Sequence, residues 1–157
     1  MKTKQLQTLW WDWLSTSERL LRSLHEQTAA LTLRDVQRVE RLQPELDQLM
    51  TRMKSLDDQA AAQAKDLAEE LGAEPHLRGL VSVLEKAESQ QVMAIANRVT
   101  VAARHVQEVM NKNQHLILNE LDYVNGSLAL IARVASEKQT LFRERPAMAA
   151  VLMDQVA

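Results

Sequence analysis

An all-α fold, an elongated antiparallel helical bundle with coiled-coil-like packing, is predicted by three observations. Glycine and proline occur only three times each in 157 residues, Leu, Ala, Gln, Glu and Arg dominate, and apolar residues recur at alternating threes and fours along two long stretches. The first two describe long helices with few turns. The third is the 3.5-residue period of helices that pack along their length.

A first helix spans about residues 4–31 and holds all the tryptophan, Trp10, Trp11 and Trp13. Three large rings within four residues cannot share one narrow face. Trp10 and Trp13 are expected to pack beside Leu6, Leu14 and Ser17 against the third and fourth helices, with Trp11 half covered. An outward ring is also a ready binding anchor.

Thr32 followed by Asp35 is an acidic variant of the capping box and sets a second helix from Leu33 to about Leu71. Its seam is Val39, Leu42, Leu46, Leu49, Met53, Leu56, Ala60 and Leu67, in register on both sides of Pro44, which therefore bends the helix instead of ending it. Gly72-Ala-Glu-Pro75 is the clearest break, with glycine just past one helix and proline opening the next. Leu77, Leu80, Val81 and Leu84 predict a short helix over 76–84.

The last helix, about 85–136, carries a seam through Ile95, Val99, Ala102, Val106, Met110, Asn113, Ile117, Leu121, Val124, Leu128 and Ile131. Asn125-Gly126, ordinarily a hairpin signal, sits between seam positions that keep step and reads as internal to the helix. Such a helix is about 75 Å long and outruns its partners. After it the pattern breaks at Pro146, and Met148, Val151, Leu152 and Val156 form a stripe too short for a stable helix alone. The expected division is a bundle domain over 1–136 and a flexible amphipathic tail over 137–157.

Several function classes are excluded. A net charge of −2 gives no general attraction to nucleic acid. Uncharged stretches such as 123–132 fall far short of a membrane span, and Lys2, Lys4 and the tryptophans do not form a cleavable leader. With no cysteine, disulfide and thiol chemistry are excluded, and the cytoplasm is the expected location. No cofactor is implied. The residues three before His25, His76, His105 and His115 are Arg22, Ala73, Ala102 and Lys112, so the Glu-x-x-His pairs of a bundle metal site are absent. Asp66, Glu69 and Glu70 read as a solvated helix face, and no enzyme activity is expected. Pro75-His76-Leu77-Arg78-Gly79 invites comparison with a phosphotransfer histidine, but Arg78 stands two residues after His76 where three is usual, and His76 lies at a helix start.

Asn113 has two readings. A polar residue in a seam fixes register at some cost in stability. Alternatively its amide bonds to the backbone of an inserted partner segment.

The stretch Asn113, Leu116, Ile117, Leu121, Tyr123, Val124, followed by Leu128, Leu130 and Ile131 near the end of a short all-helical chain, resembles the flagellar export chaperones of the FlgN type. The likeness is strongest over about 106–142. The resemblance implies a cytoplasmic chaperone that binds hook-filament junction proteins, shields their terminal helices and hands them to the type III export gate. It places client contacts on Leu128, Ile131, Leu141, Phe142, Met148, Leu152 and Val156, the apolar residues beyond a compact bundle. Better-known members carry a tyrosine and glycine shortly after the long helix, associated with gate docking; here Thr140-Leu141-Phe142-Arg143 has phenylalanine and no glycine. Rival readings are a structural coiled-coil subunit that self-associates through the same seams, and the phosphotransfer domain on His76.

Overall fold

The structure is a computed structural model in which residues 1–125 are described, with side chains to Leu121. Four helices follow one another: α1 (Lys4–Thr32), α2 (Val36–Leu71), α3 (Leu77–Ser82) and α4 (Lys86–Asn125). No strand occurs among the described residues. Residues 126–157, including Gly126, Pro146 and the expected tail, lie outside the described residues.

α1 is the shared middle helix. It packs along both α2 and α4, while the short α3 bridges α2 to the start of α4. The buried positions of α1 explain this: Leu6, Trp10, Trp13, Ser17, Leu20, Leu24, Gln27 and Leu31 alternate by fours and threes, a complete 3.5-residue seam. Beside it a second buried line of small residues, Thr16, Ser23 and Ala30, allows close approach of a second helix.

The chain reverses between α1 and α2, so these two are antiparallel, and α4 runs parallel to α1. Thr3 bonds to Glu88 at one end and Thr28 to Asn113 at the other, each pair 85 residues apart. The α4 seam is Val92, Ala96, Val99, Ala103, Val106, Met110 and Asn113, each 86 residues after its α1 counterpart, the separation spanned by the Gln27–Asn113 bond. Trp10 thus shares a layer with Ala96, where bulk on one helix meets space on the other, and Ser17 with Ala103, where two small residues meet. Burying one such Val or Leu contributes about 1.5–3 kcal/mol.

Both helix ends before a turn use the same backbone device. After α2, Gly72 takes φ 67° and Ala73 N–H reaches Ala68 O at 2.8 Å, as the glycine predicts. After α1 the left-handed position is taken by Arg34, φ 57°, with Asp35 N–H reaching Ala30 O at 2.8 Å. The predicted start of α2 at Leu33 is therefore corrected. Thr32 is the last residue of α1, its hydroxyl donating to Thr28 O, and Asp35 is itself the cap of α2, its Oδ1 accepting from Arg38 N–H at 3.1 Å. Pro44 lies inside an unbroken α2, as expected.

Pro75 does not open α3. His76 caps it, Nδ1 accepting from Gly79 N–H at 2.9 Å, and the helix ends at Ser82 instead of Leu84. Gly79 is required there, because a Cβ would stand 2.7 Å from Glu74 O. Trp10 and Trp13 are buried and Trp11 is 46% exposed, its ring covered on one side by the Arg98 guanidinium at 5.6 Å. Trp10 also lines a cleft with Ala61, Ala64, Leu77 and Leu80, so α2 joins the third and fourth helices that were expected to cover it.

One core residue breaks the apolar rule. Asp57 on α2 is 2% exposed, neither carboxylate oxygen has a hydrogen-bond partner, and burial pushes its pKa up to about 6.

Candidate functional site

The candidate surface is the end of the bundle where α4 passes the α1–α2 turn. One layer below it, Asn113 is 1% exposed and its side chain is bonded within the chain. Nδ2 donates to Leu24 O at 2.9 Å and to Gln27 Oε1 at 2.9 Å, and Oδ1 accepts from the Thr28 hydroxyl at 2.5 Å. The register reading of Asn113 is the one its geometry supports; both amide hydrogens are spent within the chain and the group is buried away from a partner's backbone. Gln27 Nε2 is the one amide group of this layer without a partner.

Packing changes character at this layer. Before Asn113 the α4 seam is buried down to Val92. After it Leu116, Ile117, Leu118 and Leu121 are only half-buried, because α1 ends at Thr32, level with Ile117 in the 85-residue register. Tyr123 and Val124 continue α4 toward Asn125; their side chains are not among those described. Around the turn Leu33 is 72% and Val36 65% exposed, and Val39 and Leu42 at the start of α2 are half-buried where the seam predicted core. An ion pair, Arg34 Nε to Glu120 Oε1 at 3.0 Å, ties the turn to α4 at this level. Exposed on both sides, it contributes little, on the order of 0–1 kcal/mol. The result is a rim of exposed and partly covered aliphatic side chains on α2, on α4 and in the turn between α1 and α2. A surface of this kind holds an amphipathic helix by apolar contact; it offers no arrangement for proton or group transfer.

The predicted client contacts Leu128, Ile131, Leu141, Phe142, Met148, Leu152 and Val156 lie outside the described residues. The motif residues Asn113, Leu116, Ile117 and Leu121 are brought together as one polar layer followed by an apolar rim. What the sequence reading missed is the contribution of Leu33 and Val36. Their signal was present as two apolar residues flanking a turn, and was absorbed into the misplaced helix start.

His76 is committed to structure. Its Nδ1 accepts from Gly79 and its Nε2 faces Glu74 Oε2 at 2.6 Å, so neither nitrogen is free for phosphoryl transfer. The cleft beside it, about 310 Å³, is lined by Leu6, Trp10 and alanines of α2, with Lys65 and His76 at its edge. Among the described residues no three His, Asp or Glu side chains gather as a metal-ligand set.

A parallel α1–α4 pair braced by α2, with a polar register layer and a half-covered apolar end, defines a helical-bundle protein that presents helix surface to another chain. No helix among the described residues is long and apolar enough to cross a membrane. The family model described as FlgN protein matches residues 1–145, and the chain belongs to the FlgN family. That family is one of flagellar export chaperones, which gives this chain a general role in flagellum assembly and the binding of flagellar proteins, in a family not known for enzymes. Searches of curated proteins and of solved structures returned no match.

Proposed function

We propose that this protein is a cytoplasmic export chaperone that binds the terminal helices of hook-filament junction proteins, protects them from self-association, and delivers them to the flagellar type III export apparatus. The observation that carries the reading is the change at Asn113. The α4 seam is satisfied within the chain up to that layer and only half-covered beyond it, so the distal face is where a foreign helix gains most by packing. On this reading the rim of Leu116, Ile117, Leu121, Leu33 and Val36 begins the client surface. Leu128, Ile131, Leu141, Phe142, Met148, Leu152 and Val156 extend it through the amphipathic 137–157 segment, whose methionines suit variable partners. Phe142 stands in the place comparable to the tail tyrosine that the family associates with docking to the cytoplasmic domain of the export gate. Self-association is at most weak, since the long seam of α4 is already paired with α1.

Calorimetric titration of the full chain with peptides spanning the terminal helices of junction proteins tests the reading. The expected result is a saturable one-to-one complex, weakened ten-fold or more (~1.4 kcal/mol) by deletion of 137–157, with little change in melting temperature. Absence of binding by the intact chain to every junction protein tried overturns it. Undiminished affinity after the deletion removes the tail from the mechanism.

A further inference from the structure

The α1–α4 pair carries on its outer edge a feature that client binding does not use. His25 on α1 and His105 on α4 bring their rings to 6.2 Å between centroids with planes tilted by 57°. Both side chains are exposed, and neither makes a hydrogen bond to another described group. The tilt keeps the rings from stacking, which leaves nitrogen lone pairs able to converge on one point between the helices.

We propose that His25 and His105 form a two-imidazole site for a borderline divalent transition-metal ion, Zn²⁺ being the representative, with water filling the remaining positions. Imidazole nitrogen suits Zn²⁺, Cu²⁺ and Ni²⁺ and discriminates against the hard ions Mg²⁺ and Ca²⁺. Two rings on one tetrahedral ion at ~2.1 Å bonds place their centroids about 5 Å apart. The observed spacing is about an ångström wider, a distance that rotation of two exposed side chains supplies. The backbone is already fixed: His25 follows the buried Leu24 and His105 precedes the buried Val106, so both ligands stand on parallel helices locked by the seam.

The nearest charges along the two helices are mixed in sign, Arg22 and Arg104 against Glu26 and Glu108, so the field at the site is close to neutral. No third ligating side chain joins among the described residues, which makes the site open and exchangeable. Its occupation cross-links α1 to α4 and stabilises the bundle by mass action.

The experiment is thermal melting of the full chain with and without excess ZnCl₂, beside MgCl₂, for the parent and for H25A, H105A and H115A. At a concentration about ten times its dissociation constant, Zn²⁺ is expected to raise the melting temperature of the parent and of H115A by about 4 °C. Mg²⁺ leaves it unchanged. In H25A and in H105A the Zn²⁺ concentration needed for the same shift rises at least ten-fold. No Zn²⁺ shift in the parent, the same shift in either single variant, or an equal shift with Mg²⁺ overturns the site. Since these exposed histidines lie outside the core, none of the three substitutions is expected to unfold the chain.

Discussion

Thr28 donates its hydroxyl to Asn113 Oδ1 across a sequence separation of 85 residues, the same separation at which Thr3 meets Glu88. Two polar clasps of equal span, one at each end of α1, fix a single register between α1 and α4. The apolar layers between them would tolerate a slip of one heptad better than the clasps would.

The upper clasp therefore has a defined energetic signature. Asn113→Ala strands Gln27 Oε1 in a buried layer, while the Thr28 hydroxyl keeps Leu24 O as its acceptor, and should cost about 1–3 kcal/mol in denaturant unfolding. The double change Gln27→Leu with Asn113→Leu should recover most of that loss, while relaxing register. Equal destabilisation by the single and double variants would contradict a register role.

Asp57 makes stability pH-dependent with a known sign. Its pKa is raised by burial from 3.8 to about 6 in the folded chain, so the native state holds this proton more tightly than the unfolded one. Its contribution is favourable while the group is protonated, is lost as pH rises from about 4 to about 6, and is fully absent at pH 7. Asp57→Asn should then stabilise the protein at pH 7 by up to about 3 kcal/mol and by almost nothing at pH 4. Urea melts of both proteins across that range measure the difference directly.

Arg34 holds a left-handed backbone that an L side chain adopts at a cost of about 1 kcal/mol. Arg34→Gly removes the strain together with the exposed ion pair to Glu120. The net effect should be a gain of about 0.5 kcal/mol in low salt and somewhat more in 1 M salt, where the pair is screened. A loss of stability in high salt would show that the side chain does more than balance charge.

Leu49 and Leu121 both lie on predicted seams, yet only Leu49 is buried; Leu121 is half-covered. Leu49→Asp should unfold the bundle. Leu121→Asp should melt within a few degrees of the parent and weaken client binding at least ten-fold, a split that circular dichroism and calorimetry on the same preparations resolve.

The helices were legible because a 3.5-residue seam and scarce glycine and proline leave little else for the chain to do. Gly72 announced its turn, since glycine is the residue that takes the left-handed position freely. Arg34 hid the matching turn, since nothing in an arginine signals positive φ, and the helix start was displaced onto Leu33. Periodicity makes Leu121 core, because it marks which face is apolar and says nothing of where the neighbouring helix stops. Asp57 was passed over for the same reason: charge in a sequence reads as surface until a second helix is laid across it. The half-buried rim, the nearest thing to a site, depends on three helices ending or passing at one level, information no single stretch contains.

The contact between Thr3 and Glu88 also sets an order of assembly. α1 and α2 are joined by a three-residue turn and meet through neighbours in sequence, whereas α4 can dock only after a loop of more than eighty residues has closed. The hairpin of α1 and α2 then forms first, with one flank of its tryptophan-bearing seam uncovered until α4 arrives. Destabilising changes in α4, such as Val99→Ala, should accordingly speed unfolding and leave the folding rate nearly untouched, while Leu49→Ala in α2 slows folding. During synthesis α4 is the last of the described helices to leave the ribosome, so for that interval the newborn bundle is itself an incompletely covered helical surface.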